Sequence, residues 1–200
     1  MKTVLVLICA GLAIAASMWV AKASTMAALT DQNAIFDDFE QTESLWLFSD
    51  KIGSNAASGV ERAKVAIGGP LGLSSKEAVY FIAITDNQGE RLVSDCAYRV
   101  TGAPMDTRWW SLTLYDSDTQ HYVDNPENRS SWNSVAIPRD TDGNWALYVA
   151  QSPIDGTNWL PSQAEDARPF ELNLRVYNPS GATRAALPNI ALPDVERVSC

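Results

Sequence analysis

The chain is poor in the residues that most often carry chemistry. It has one histidine, His121, and three cysteines, Cys9, Cys96 and Cys200, with no C-x-x-C spacing. That pattern argues against a zinc cluster of ordinary ligand spacing. No G-x-S-x-G elbow, H-E-x-x-H pair or glycine-rich phosphate loop occurs, which argues against an α/β-hydrolase, a zincin and a nucleotide-binding enzyme. Gly68-Gly69 precedes Pro70 and reads as a helix stop. Basic residues are scarce as well: 15 Lys and Arg stand against 24 Asp and Glu, a formal charge of −9. Such a balance speaks against nucleic acid or anionic lipid headgroups as partners of the folded part. No metal and no cofactor is expected. There is no internal repeat and no low-complexity segment.

What is present begins at the N-terminus. Lys2 precedes an uncharged run over residues 4–20, and Ala21-Lys22-Ala23 fits the small-x-small rule of a signal peptidase site. The run lies between the length of a cleaved export signal, about 7–15 apolar residues, and that of a spanning helix, about 17–25. Residues 1–23 are thus expected to be a signal peptide or a membrane anchor. Both place the rest of the chain outside the cytoplasm, periplasmic or held at the inner membrane through residues 4–20. Cleavage removes Lys2 and Lys22 and takes the formal charge to −11. Export permits a disulfide between Cys96 and Cys200; the alternative is a buried free Cys96 and a frayed Cys200.

Beyond the anchor, residues 24–57 read as a connector with a short helix around 31–42, in which Trp46 packs onto the main domain. Ser58 and Glu61 stand at capping-box spacing before an apolar stripe of Val60, Ala63, Ala66 and Ile67, which predicts a helix over 58–67. From Ala78 onward the pattern is that of strands. The clearest is Arg-Trp-Trp-Ser-Leu-Thr-Leu-Tyr at 108–115, with Trp110, Leu112 and Leu114 on one face. Residues 144–150 place Trp145, Leu147 and Val149 together, and residues 170–177 do so for Phe170, Leu172, Leu174 and Val176. Asp116-Ser117-Asp118 and Asp142-Gly143 are turn signals. Short strands, frequent turns and few helices predict a mainly β, antiparallel sandwich over 58–180, followed by an extended tail over 181–200.

Several of these stretches come in a telling order: Trp110 to Asp116, Asn125 to Ser130, Asp142-Gly143, Asn158-Trp159-Leu160-Pro161 and Leu174-Arg175-Val176-Tyr177. Together with Tyr80, Asp86, Gly89 and Tyr98 they resemble the bacterial family catalogued as "domain of unknown function 1214". The resemblance covers residues 58–180. It implies a jelly-roll-like β-sandwich in an envelope or exported protein, and it implies no activity.

The candidate chemistry is correspondingly modest. Asp116-Ser117-Asp118-Thr119 after an apolar strand suggests a phosphatase nucleophile, but the helices of a parallel α/β sheet are missing and the turn reading is preferred. Asp140-Thr141-Asp142-Gly143-Asn144 is part of a calcium loop without its closing glutamate. The polar and aromatic residues opposite the apolar faces, Tyr115, Tyr148, Arg175 and Tyr177, form one candidate ligand patch with Arg129, Asn158 and Trp159 from loops, provided their strands are neighbours. Aromatic platforms and a guanidinium fork suit planar anions or sugars; the competing role for the arginines is to pair with Asp116 or Asp124 and hold loops. Three functions follow as expectations. The first is an envelope accessory or binding module without catalysis, for a small polar ligand or an envelope protein. The second is an envelope enzyme acting on a glycan or small polar substrate through Asp116, Asp124 or His121. The third is a structural docking domain.

Overall fold

The structure is a computed structural model that describes residues 2–30, 39–68, 72–154, 156–162 and 167–200. Helix α1 (Lys2–Thr30) is followed by strands β1 (Glu40–Gln41) and β2 (Leu47–Ser49), then helix α2 (Gly59–Gly68). Strands β3 (Ala78–Ala83), β4 (Ala97–Gly102), β5 (Thr107–Asp116), β6 (Ser131–Asn133), β7 (Trp145–Ala150), β8 (Trp159–Pro161) and β9 (Phe170–Pro179) come next. A short helix α3 (Gly181–Ala185) and strand β10 (Asp194–Ser199) end the chain.

The protein is mainly β. One sheet has six strands in the order β1-β2-β3-β9-β5-β6, the other four in the order β10-β4-β7-β8. Among the described residues all pairings are antiparallel except β7 with β8, which is parallel. This order is compatible with jelly-roll connectivity. The sheets face one another: Trp110 of β5 lies 4.7 Å from Trp145 of β7, and Tyr98 of β4 meets Phe170 of β9 edge-on at 5.5 Å. Period two delivers the expected set to this core, with Trp110, Leu112, Leu114, Trp145, Leu147, Leu172 and Leu174 all buried. Leu112 and Leu174 sit directly opposite one another across the β5–β9 ladder. Gly102 is required by close approach, because a Cβ there would lie 2.3 Å from the Trp145 indole.

The local readings hold where their signal is strong. Helix α2 carries the capping box: the Glu61 amide donates to the Ser58 hydroxyl at 3.1 Å, and the Ser58 amide donates back to the Glu61 carboxylate. The Glu61 carboxyl accordingly sits below its ordinary range, chiefly through the Ser58 hydrogen bonds. Helix α1 is continuous through Ala23, and its stretch Val6–Ala27, 22 residues, is long and apolar enough to cross a membrane, with none of it buried.

Two segments depart from expectation. Residues 181–200 are not an extended tail. They form α3 and β10, and β10 pairs with β4 along its length. The connector over 24–57 supplies β1 and β2 to the larger sheet; Glu40–Gln41 is strand, while residues 31–38 of the expected helix lie outside the described residues. The reason is the same in both places. Strands this short carry little alternation of their own, and their hydrogen bonds come from partners distant in sequence. Trp46 packs as expected, fully buried with its indole N–H donating to the Pro193 carbonyl at 2.6 Å.

Candidate functional site

At one end of the sandwich, the loop after β5 folds back and leaves a cleft of about 820 Å³. Asp116, Thr119, His121, Tyr122, Asp124 and Asn125 come to it from that loop, Ser94 from the approach to β4, Ser162 from the exit of β8, and Arg168 to Phe170 from the entry to β9. Asp116, Asp124 and His121 were separate candidates in the sequence; they line one concavity.

The loop's shape explains this convergence. Asp116 closes β5, and one of its carboxylate oxygens accepts from the amides of Asp118 and Thr119 and from the Thr119 hydroxyl. Its other oxygen lies 3.5 Å from the Arg168 guanidinium. Asp116 also donates its amide to the His121 carbonyl, so the chain returns beside itself, with Gln120 in the left-handed region at φ 58. Asn125 holds the far side: its side chain accepts from the Arg129 amide and donates to the Val123 and Arg129 carbonyls. The floor is tied by the Arg168 amide donating to the Ser94 hydroxyl and by Ser162 donating to the Ser94 carbonyl. Tyr122 is 54 % exposed, and its ring stacks on Tyr115 at 5.0 Å.

This geometry gives Asp116 the role of a turn anchor. A carboxylate that accepts three hydrogen bonds on one oxygen and faces an arginine with the other is held in place, as a turn anchor is. No group of three or more His, Cys, Asp or Glu that could hold a metal occurs among the described residues. Asp140 is a turn anchor too, accepting from the amides of Asp142 and Asn144, and Gly143 takes the left-handed φ of 83 that the turn needs.

The seven residues of the expected ligand patch divide. Tyr115, Arg175 and Tyr177 lie on the outer face of the larger sheet, opposite the core residues of β5 and β9. Tyr148 lies on the outer face of the smaller sheet, because Leu147 and Val149 face the core. β7 is in a different sheet from β5 and β9, so the condition for one patch is not met. Arg129 stacks over Trp132 at 4.7 Å. The Trp132 indole N–H donates to the Trp159 carbonyl, the Trp159 indole N–H to the Ala150 carbonyl, and the Asn158 amide to the Ala146 carbonyl. These contacts tie β6, β7 and β8 together. Cys96 and Cys200 are joined by a disulfide.

The outer face of the larger sheet is buried where alternation alone gives no sign of it. Ser111, Thr113, Glu171, Asn173 and Arg175 are polar or charged, yet all are buried. Arg175 donates to the Tyr115 hydroxyl and lies over its ring at 5.5 Å. Burial and the hydrogen bond to Tyr122 push the Tyr115 phenol up to about 12, against the pull of the Arg175 charge. Burial pushes the Glu171 carboxyl up to about 7, while the Gln120 amide and the more distant Arg91 charge oppose it.

A mainly β sandwich behind an apolar N-terminal helix, with a polar cleft at one end, is the class of protein these features define. The chain belongs to the family described as "Protein of unknown function (DUF1214)", whose profile matches residues 77–181. The chain is similar in fold to the VPA0106 protein from Vibrio parahaemolyticus, with a TM-score of 0.56 at 25% identity over 70% of this chain and 35% of that one. An uncharacterized protein from Burkholderia cenocepacia aligns with a TM-score of 0.47 at 15% identity, over 67% of this chain and 33% of that one. The chain therefore spans about a third of the length of these neighbours. No curated protein matches it.

Proposed function

We propose that this protein is an extracytoplasmic binding module, held at the inner membrane by α1, which takes a polyhydroxy ligand such as a glycan segment in the cleft. The observation that carries this reading is the cleft's lining: two aspartates, a histidine and an arginine beside the exposed ring of Tyr122. Carboxylates accept from sugar hydroxyls, guanidinium and imidazole N–H groups donate to them, and an aromatic face stacks on the apolar side of the ring. The fixed, ion-paired state of Asp116 favours binding over the enzymatic alternative through Asp116 and Asp124. Asp116 serves the turn, with one oxygen accepting from the Asp118 and Thr119 amides and the Thr119 hydroxyl. The length of the apolar stretch in α1 and its exposure support an anchor.

The test is glycan retention by the full-length protein in detergent micelles, with Asp124→Ala and His121→Ala as variants. Loss of one charge-assisted hydrogen bond weakens retention about tenfold or more. Retention unchanged in both variants removes the cleft from function. Hydrolysis of the glycan by the parent, abolished in Asp124→Ala, replaces the binding module with an enzyme. A C-terminal reporter active in the cytoplasm overturns the placement.

A further inference from the structure

We infer that the outer face of the larger sheet carries a second ligand site, separate from the cleft, for a small carboxylate bearing a neighbouring hydroxyl or ammonium donor. Arg175 is the anion ligand and Asn173 receives the donor. Both residues are on β9, the strand between β3 and β5, at successive outward positions. That spacing is roughly 7 Å along a strand, within reach of the two ends of a 2-hydroxy or 2-amino acid.

Three observations carry the inference. Arg175 is only 9% exposed, and its buried Nε–H has no acceptor among the described residues. Among the described residues its one hydrogen-bond partner is a neutral phenol, Tyr115, and no carboxylate lies within ion-pairing distance of it. A guanidinium taken out of water without a counter-anion is costly; Arg197, a half-buried arginine, has the buried Asp86 at 2.9 Å. Asn173, equally buried, has a side-chain oxygen with no donor among the described residues. Two unmet and complementary groups on one strand face, a cationic donor and a neutral acceptor, describe a ligand with an anionic end and a donor end.

The neighbours fit. Opposite Arg175 are Tyr80 and Ser111, and opposite Asn173 are Ile82 and Thr113, so the flanking strands bring no competing charge. The next outward residue, Glu171, has its carboxyl pushed up to about 7 by burial, which limits the repulsion an anion meets near neutrality. The Tyr80 hydroxyl accepts from the Leu73 amide and is turned to that loop.

The experiment titrates the full-length protein in detergent micelles, near pH 6.5, with lactate, alanine, acetate and inorganic phosphate, read by calorimetry. Parent, Arg175→Lys, Asn173→Ala and Asp124→Ala are compared. Lactate or alanine is expected to bind the parent, and acetate about tenfold more weakly because it lacks the donor. Lysine keeps the charge but not the fork, so Arg175→Lys weakens lactate about tenfold or more. Asn173→Ala abolishes the preference over acetate, and Asp124→Ala changes nothing here. Phosphate binding tighter than every carboxylate overturns the ligand class. Absence of binding by the parent, or equal binding by Arg175→Lys, overturns the site. Neither result bears on glycan retention in the cleft.

Discussion

The Nε of Arg197 lies 2.9 Å from a carboxylate oxygen of Asp86, a side chain with 1% of its surface exposed. The two belong to opposite ends of the domain in sequence: Asp86 sits in the turn after β3 and Arg197 in β10. The other oxygen of Asp86 accepts from the amides of Gln88 and Glu90 and so shapes the turn. Asn87 joins in by exchanging hydrogen bonds with Val195, its amide donating to the Val195 carbonyl and its side chain accepting from the Val195 amide. Arg197 also donates to the Arg91 carbonyl and lies 5.6 Å over the Tyr98 ring. Arg197→Leu leaves the buried carboxylate without its counter-charge. The expected loss is about 3 kcal/mol, at the low end for a broken buried pair because the arginine is a quarter exposed. Urea denaturation at neutral pH measures it, and a loss under about 0.5 kcal/mol, the range of surface changes, would mean the pair is solvated.

The disulfide acts on the same strand. Cys96 precedes β4, Cys200 follows β10, and the bond closes a loop of 104 residues. Cross-links of such separation contribute about 2–4 kcal/mol, mainly by restricting the unfolded chain. Dithiothreitol should lower the urea midpoint of the parent, and Cys200→Ser should show the lower midpoint with or without reductant. If reductant shifts both proteins equally, the effect does not come from this bond.

Residues with a long alternating run were legible, and residues placed by distant partners were not. β5, β7 and β9 each put every second side chain into the core, so Leu112, Leu147 and Leu174 could be assigned from period two alone. β10, Asp-Val-Glu-Arg-Val-Ser, has two apolar residues in six, and its position depends on Asn87, Asp86 and Cys96. Alternation also says which face a residue takes, not whether that face is wet: Ser111, Asn173 and Arg175 take the expected face and are buried there. The cleft was half legible. Asp116, Asp124 and His121 attracted notice singly. Ser94, Ser162 and Arg168 carry no local signal, since hydrogen bonds between loops far apart in sequence bring them in.

The paired leucines of the central ladder give a sharper test of the sandwich than either alone. Leu112 and Leu174 are fully buried and in register. Each truncation to alanine is expected to cost about 2–5 kcal/mol. Because the two side chains are cross-strand neighbours, the double variant should lose less or more than the sum by about 0.5 kcal/mol or above. Strict additivity would place the residues on separate patches of core and contradict the register.

Glu171 makes stability depend on pH in an unusual direction. Its folded-state value, about 7, is raised above the ordinary carboxyl value of 4.5, first by burial and last by the nearby Asp116 charge. The folded protein thus keeps this proton over a range in which the unfolded chain has released it. Where the native state binds more protons, stability falls as pH rises. The contribution of Glu171 is therefore fully favourable below about pH 4.5, declines between there and about 7, and is lost above. The separation is worth about 3 kcal/mol at most by linkage. Glu171→Gln supplies a permanently neutral side chain of the same shape. The variant should match the parent near pH 4 and exceed it by about 3 kcal/mol near pH 8. Urea denaturation at both pH values reads the difference directly. A gap between variant and parent that stays constant across that window would show that Glu171 ionises at its ordinary value despite being buried.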